Sequence, residues 1–143
     1  MARFRRVNID GKSVTETAVS AEALKPGTPV KMVSGAFVAA TDTEGRIYVV
    51  NPAYHEGLGI EDQIPATHSV VADYAEQGRE FAILLPADTY TKDAGITIGA
   101  DGFKLAAAAS GEGESATPAG PVFAFCQEAV ILSAADFVRV RIA

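Results

Sequence analysis

The chain has 143 residues, of which 48% are hydrophobic and 21% charged, and this length and composition are typical of one globular domain. Its single cysteine excludes an intrachain disulfide framework and a multi-cysteine zinc site. Eighteen acidic against twelve basic residues give a net charge of −6, which argues against nucleic acid as the main partner. No apolar run approaches the ~20 residues of a membrane span, and no apolar signal segment follows the basic start, so we expect a protein made in the cytoplasm with no membrane partner.

The first twenty residues differ in charge from the rest of the chain. Residues 1–12 contain four basic residues and one acidic residue, whereas the remainder contains eight basic and seventeen acidic residues. Because no long apolar face runs through this segment, we predict an extended N-terminal arm over 1–20 that can include a short strand, with a compact β domain over 21–143. A positive arm on an acidic body indicates that the two surfaces face different environments. A frayed, solvated terminus is the alternative.

Short alternating or apolar segments separated by turn residues occupy most of the chain from Ser20 onward. Ser20–Leu24 favours one helical turn, which Lys25-Pro26-Gly27 ends. Asp101-Gly102 predicts a tight hairpin turn. Strands are predicted at 28–33, 35–40, 46–50, 69–74, 79–85, 96–98, 103–105, 122–132 and 137–142. This spacing predicts an all-β barrel or sandwich with at most one or two short helical turns.

Three other segments carry local predictions. Residues 52–66 form the longest irregular stretch, and a loop of this length is usually functional or mobile. Residues 110–118, rich in glycine, serine and glutamate, predict a solvent-exposed loop. Ser133–Asp136 resembles a capping box and predicts one helical turn. In the last strand Arg139 and Arg141 share a face that we expect to be solvated.

The sequence contains few residues in patterns that are typical of catalytic or metal sites. His55 and His68 are thirteen positions apart, and because this spacing matches no metal-site signature, local hydrogen bonds are predicted for them rather than a metal. Cys126 lies in an apolar strand pattern, where a thiol behaves as a small hydrophobe. No nucleophile elbow and no phosphate-binding loop is present. We therefore expect no enzymatic activity and no cofactor.

Several blocks of sequence occur in a distinctive order. Lys25-Pro26-Gly27-Thr28-Pro29-Val30 precedes Asn51-Pro52 and His55-Glu56-Gly57, and Gly95-Ile96-Thr97-Ile98-Gly99-Ala100-Asp101-Gly102-Phe103-Lys104-Leu105 follows later. With the basic closing segment 129–143, this order resembles the capsid decoration (cement) proteins of tailed bacteriophages over about residues 20–143. None of the blocks is catalytic.

This resemblance implies a structural virion protein on the outer surface of an assembled phage head, which it stabilises by bridging major capsid protein subunits. It also implies a compact β-barrel with an N-terminal arm. The implied partners are the major capsid protein and further copies of this chain, with a homotrimer favoured over a homodimer.

Two groups of residues are predicted to make these contacts. The first contacts the capsid, its arginines pairing with capsid carboxylates, and comprises Arg3, Phe4, Arg5, Arg6 and Val7. The second contacts the capsid or another copy of the chain, and comprises Tyr54, His55, Leu58, Ile60 and Ile64. The alternative for the apolar members of the second group is that they pack under their own loop.

A β-rich binding module is the main alternative function. Such a module, on a phage surface or tail, would recognise a host glycan or protein. Sugar recognition favours clustered exposed aromatic rings, but the chain has no tryptophan and its four tyrosines and seven phenylalanines are scattered. A small β-barrel enzyme is a weaker alternative, since no nucleophile, base and orienting group can be named.

Overall fold

The computed structural model describes residues 2–11, 14–109, 111–115 and 119–143. These residues form thirteen strands and two single-turn 3-10 helices, η1 (Tyr54–Glu56) and η2 (Gly113–Ser115). The all-β prediction is confirmed. The strands are β1 (Asn8–Asp10), β2 (Thr15–Ser20), β3 (Pro29–Val33), β4 (Ala36–Ala39), β5 (Tyr48–Val50), β6 (Ser69–Tyr74), β7 (Glu80–Leu85), β8 (Thr89–Tyr90), β9 (Gly95–Gly99), β10 (Gly102–Leu105), β11 (Ala124–Cys126), β12 (Val130–Ile131) and β13 (Asp136–Ile142).

A five-stranded closed barrel forms one part of the molecule, with strand order β2-β4-β3-β5-β6. The β2–β4 pair is parallel, and the other pairs are antiparallel. Alternate side chains point inward, as strand geometry requires. Val30, Phe37 and Val70 are fully buried in this interior, and the Phe37 ring meets Tyr48 edge-on at 5.7 Å.

A six-stranded sheet forms the second part, in the order β1-β7-β13-β11-β9-β10. β7 and β13 pair in its interior, from Asp136 opposite Leu85 to Arg141 opposite Glu80. Phe81 and Val138 are fully buried in the larger of the two hydrophobic cores. A separate two-stranded sheet pairs β12 with β8. Among the described residues, no helix is long and apolar enough to span a membrane.

The turn at Gly27 joins the barrel to the six-stranded sheet. Its N–H donates to the Val50 carbonyl at 2.8 Å, and its own carbonyl accepts from the Leu84 N–H at 3.0 Å. Gly27 has φ +78°, and an added Cβ would lie 2.6 Å from Phe137 Cε1. Only glycine combines this backbone conformation with so close an approach. The turn predicted at Lys25-Pro26-Gly27 is therefore a point of close contact that holds the two parts together.

The predictions of a helical turn at Ser20–Leu24 and at Ser133–Asp136 are both wrong. Leu24 instead pairs with Ile64 in an isolated antiparallel bridge, with N–H to carbonyl distances of 3.0 and 2.7 Å. Asp136 begins β13 instead of ending a helical turn. The single strand predicted over 122–132 is divided, because β11 pairs with β13 whereas β12 pairs with β8.

Residues predicted as an extended arm take part in the folded body. β1 pairs with β7 at the edge of the six-stranded sheet, and β2 pairs with β6 from Thr15 to Val19. Val7 is fully buried in the larger core, where its carbonyl accepts from the Ala82 N–H at 2.7 Å. The strand-built part of the chain thus includes residues before position 21. Residues 1, 12 and 13 lie outside the described residues.

Two surface predictions have different outcomes. Arg139 is half-buried and the Arg141 side chain is 42% exposed, so the arginine face predicted to be solvated is solvated only in part. Arg141 Nη2 lies 2.8 Å from Glu80 Oε1, and its Nη1 donates to the Gly78 carbonyl at 2.7 Å. Residues 111–114 are exposed, as the loop prediction requires. Ser110 and residues 116–118 of that loop lie outside the described residues.

Candidate functional site

The first residues of the chain lie against the body and are held at several points. Arg3 forms an ion pair with Glu128 and donates to the Phe137 carbonyl at 3.1 Å. The Arg3 guanidinium also lies 5.6 Å from the centre of the Phe4 ring, and Phe4 packs partly buried on the larger core. With Val7 inside the core, Arg3 and Val7 already have partners within the chain.

Arg5 and Arg6 are the cations of this segment that face outward. Both side chains are exposed. Within the part of the chain that the structure describes, neither forms an ion pair. Since Arg3 is neutralised by Glu128, the charge that this segment offers to a partner is concentrated on these two residues. An unpaired guanidinium can bind a carboxylate in two parallel hydrogen bonds.

The long loop meets the N-terminal segment at Tyr54. This side chain is 57% exposed, and its hydroxyl donates to the Arg5 carbonyl. Tyr54 begins η1, which ends at Gly57 in the left-handed conformation, with the Gly57 N–H donating to the Tyr54 carbonyl at 3.0 Å. The two segments predicted separately as contact regions therefore form one continuous surface. We call it the arm–loop surface, comprising Arg5, Arg6, Tyr54 and His55.

A cavity of about 370 Å³ opens beside the arm–loop surface, between the N-terminal segment, β2 and β6. The Asp73 carboxylate lines it, although the side chain is only 3% exposed. Its Oδ1 accepts a hydrogen bond from Thr15 Oγ1 at 2.7 Å, and its Oδ2 lies 3.9 Å from Arg79 Nη2. Asn51 and Tyr54 also line the cavity. The arrangement can receive a polar side chain or small polar group.

The two histidines face the same carboxylate. His68 Nδ1 lies 2.6 Å from Glu56 Oε1, and His55 Nε2 lies 3.9 Å from Glu56 Oε2. The local hydrogen bond predicted for the loop histidines is present at His68. Among the described residues, no group of three or more histidine, cysteine, aspartate or glutamate side chains is arranged to hold a metal ion. This contact ties η1 to the turn that precedes β6.

The remaining members of the second predicted contact group lie inside the chain. Ile64 is fully buried and Ile60 is 8% exposed. Leu58 is half-buried and packs with Ile64 on the barrel core, whereas Ile60 belongs to the larger core. Tyr54 and His55 are thus the members of that group that are exposed at the surface.

The single cysteine is buried at the start of the β11–β12 connection. Cys126 is 0% exposed and belongs to the larger core. Burial raises the pKa of its thiol to about 11, with a smaller contribution from the Glu128 carboxylate. Since the thiolate is the reactive form, the Cys126 thiol is not poised as a nucleophile near neutral pH.

We expect iodoacetamide at pH 8 to leave Cys126 unmodified in the folded protein. The thiol is both inaccessible and protonated at that pH, because its pKa lies well above 8. Mass spectrometry after a timed incubation measures the modified fraction, with the urea-unfolded chain as the control that should react readily. Equal rates for folded and unfolded protein would contradict the burial seen here.

The sequence matches no protein-family model and no curated protein sequence.

Proposed function

We propose that this protein is a structural virion protein that binds the outer surface of an assembled tailed-phage head and stabilises it by bridging major capsid protein subunits. One observation carries the proposal. The arm–loop surface combines two exposed cations with an exposed tyrosine on a chain whose net charge is −6. The order of the sequence blocks points to the same class of protein.

The arm–loop surface has the composition that protein interfaces favour. Tyrosine and arginine are enriched among residues that contribute most of the binding free energy. Arg5 and Arg6 would pair with carboxylates of the major capsid protein, with Tyr54 packing between them. Because the Tyr54 hydroxyl and the burial of Val7 already order this segment, docking costs less conformational entropy than docking of a free arm.

Binding of this kind stabilises a shell by mass action. A protein that binds the assembled lattice, and not its loosened form, shifts the equilibrium toward the assembled state. Identical sites repeat over the shell, so a homo-oligomer that engages several of them gains effective concentration. We propose a homo-oligomer for this reason, and a homotrimer on the ground of the sequence resemblance, with the arm–loop surface of each copy on a different capsid subunit.

The double variant Arg5→Glu/Arg6→Glu tests the proposal. Reversing both charges replaces attraction by repulsion, and we expect the dissociation constant for purified heads to rise at least about tenfold. Co-sedimentation of the protein with heads of the phage that encodes it measures this constant. The substitutions leave Val7 in the core, whereas deletion of the whole segment would also remove core packing.

Lys25→Glu/Lys92→Glu is the matched control, since it changes the net charge equally at two exposed lysines outside the arm–loop surface. We expect near wild-type binding from this control. Higher salt should weaken binding of the wild-type protein to heads and reduce the difference in dissociation constant between the two double variants. Equal losses in both double variants would remove the arm–loop surface from the proposed mechanism.

A second candidate function is recognition of a host glycan. The observation in its favour is the cavity of about 370 Å³ beside exposed Tyr54, where the Asn51 amide could bind a sugar hydroxyl group. Tyrosine rings also stack on sugars. A glycan array tests this function directly: binding that Tyr54→Ala abolishes, together with no binding to heads, would favour it over the capsid role.

A further inference from the structure

The barrel has an open strand edge at the beginning of β2. β2 pairs with β6 from Thr15 to Val19 but with β4 only at Val19 and Ser20. The Tyr74 N–H donates to the Val14 carbonyl, and the Ser20 N–H donates to the His68 carbonyl. Even-numbered residues of β2 therefore direct their backbone groups toward β6, since antiparallel pairing alternates along a strand.

The odd-numbered residues Thr15 and Thr17 direct their N–H and carbonyl groups the opposite way. Both residues are exposed, and no backbone partner for these groups occurs among the described residues. β4 begins only at Ala36, which lies opposite Val19, so it does not cover this stretch. Unpaired strand edges of this kind are templates for pairing with another extended chain.

A cavity of about 730 Å³ opens beside this edge, at one end of the barrel. Met32 and Tyr48 contribute apolar surface to it, and Glu16, Glu44 and Arg46 contribute charge. Lys31 also lines it, but its ammonium group is paired with Asp42. Two carboxylates against one guanidinium make the opening net negative. A lysine or arginine side chain fits it, because the aliphatic stem can pack on Met32 and Tyr48 while the charge reaches Glu16.

Pairing of this edge with a second copy of itself is disfavoured by charge. An antiparallel partner that used Thr15 and Thr17 would place Glu16 of one copy directly opposite Glu16 of the other. Cross-strand neighbours have Cβ atoms about 4.5–5.5 Å apart, and like charges directly opposite each other are destabilising. Glu16 has no ion-pair partner among the described residues that would cancel this repulsion.

We propose that the open edge of β2 binds an extended segment of a different protein as an added antiparallel strand, with a lysine or arginine opposite Glu16. Main-chain hydrogen bonds to Thr15 and Thr17 provide the alignment, and the basic side chain enters the negative opening of the barrel. Thr15 also borders the cavity beside the arm–loop surface, whereas Glu16 and the negative opening of the barrel lie outside that cavity. The inference goes beyond the capsid role and does not depend on it.

Nuclear magnetic resonance on the full chain labelled with ¹⁵N tests this proposal. The probe is the synthetic peptide acetyl-Thr-Val-Thr-Lys-Thr-Val-Thr-amide, compared with the same peptide carrying glutamate in place of lysine. We expect the lysine peptide to shift the amide signals of Thr15 and Thr17 and to slow their exchange with solvent. The glutamate peptide should bind at least about threefold more weakly.

The variant Glu16→Lys is the matched control, because Glu16 is exposed and its replacement leaves the core unchanged. This variant should bind the glutamate peptide more tightly than the lysine peptide, which is the reverse of the wild-type preference. Three results would each overturn the proposal. The two peptides could bind the wild-type protein equally well, Glu16→Lys could still bind the lysine peptide more tightly, or the signal changes could be confined to residues outside β2. The assay contains no phage heads, so failure of head binding by the Arg5 and Arg6 variants leaves its outcome unaffected.

Discussion

Gly27→Ala is expected to destabilise the protein by about 2–5 kcal/mol. Gly27 has φ +78°, a left-handed conformation that costs an L-residue roughly 1–2 kcal/mol. A Cβ at this position would also lie 2.6 Å from Phe137 Cε1 and 2.9 Å from the Leu84 backbone nitrogen. Relieving these contacts must move backbone, at a further cost of about 1–3 kcal/mol. Urea-induced unfolding followed by circular dichroism measures the free energy of unfolding.

Gly35→Ala separates the two contributions. Gly35 has nearly the same φ, +79°, but nothing lies within 4 Å of the position its Cβ would occupy. We therefore expect this substitution to cost only the backbone strain, roughly 1–2 kcal/mol. If the two substitutions reduced the free energy of unfolding equally, the contacts of the added Cβ with Phe137 and Leu84 would contribute nothing to the loss.

The second large effect is expected at the buried ion pair between Asp73 and Arg79, whose side chains are only 3% and 5% exposed. Arg79→Met should reduce the free energy of unfolding by about 3–5 kcal/mol, because it removes the guanidinium that faces the buried Asp73 carboxylate. The arginine also stacks 4.9 Å from the centre of the Phe81 ring, and methionine replaces part of that packing. The same unfolding assay measures the loss.

The double variant Arg79→Met/Asp73→Asn is the control for the charge. It has the same side chain at position 79, and the asparagine oxygen can still accept the hydrogen bond from Thr15 Oγ1. We expect it to recover much of the stability lost in the single variant. A double variant no more stable than Arg79→Met would show that lost packing, and not loss of the Asp73–Arg79 ion pair, causes the destabilisation.

Local sequence signals were sufficient to predict the class of fold. The hairpin at Asp101-Gly102 has the predicted form, with Gly99 opposite Gly102 and Phe103 opposite Ile98. Turn residues and period-two alternation depend on the chain near each position, so they can be read without knowledge of distant partners. The same holds for burial of Cys126 in an apolar strand.

The elements that were not predicted correctly from the sequence are those whose structure depends on pairing with distant parts of the chain. The helical turn predicted at Ser20–Leu24 does not form, because Leu24 pairs instead with Ile64, forty positions away in the sequence. Thr15–Ser20 has no apolar face, yet it is a barrel strand because β6 supplies its hydrogen-bond partners. Val7 sits in a basic segment that resembles a solvated arm, and its burial depends on pairing of the neighbouring β1 with β7.

The candidate site was predicted in pieces. The sequence indicated Arg5, Arg6 and Tyr54 as contact residues, but it contains no sign that the Tyr54 hydroxyl meets the Arg5 carbonyl. Asp73 and Arg79 were missed, because a charged residue near the end of β6 and one just before β7 look like ordinary surface residues in a sequence. The open edge of β2 was missed for a related reason: it depends on where β4 starts relative to β2.

Electron cryomicroscopy of phage heads incubated with the purified protein tests the central claim most directly. We predict density for the β-barrel on the outer surface of the head, repeated with the lattice, and with Arg5, Arg6 and Tyr54 facing the major capsid protein. Heads that carry no added density at saturating protein concentration, or density in which these residues face solvent, would contradict it.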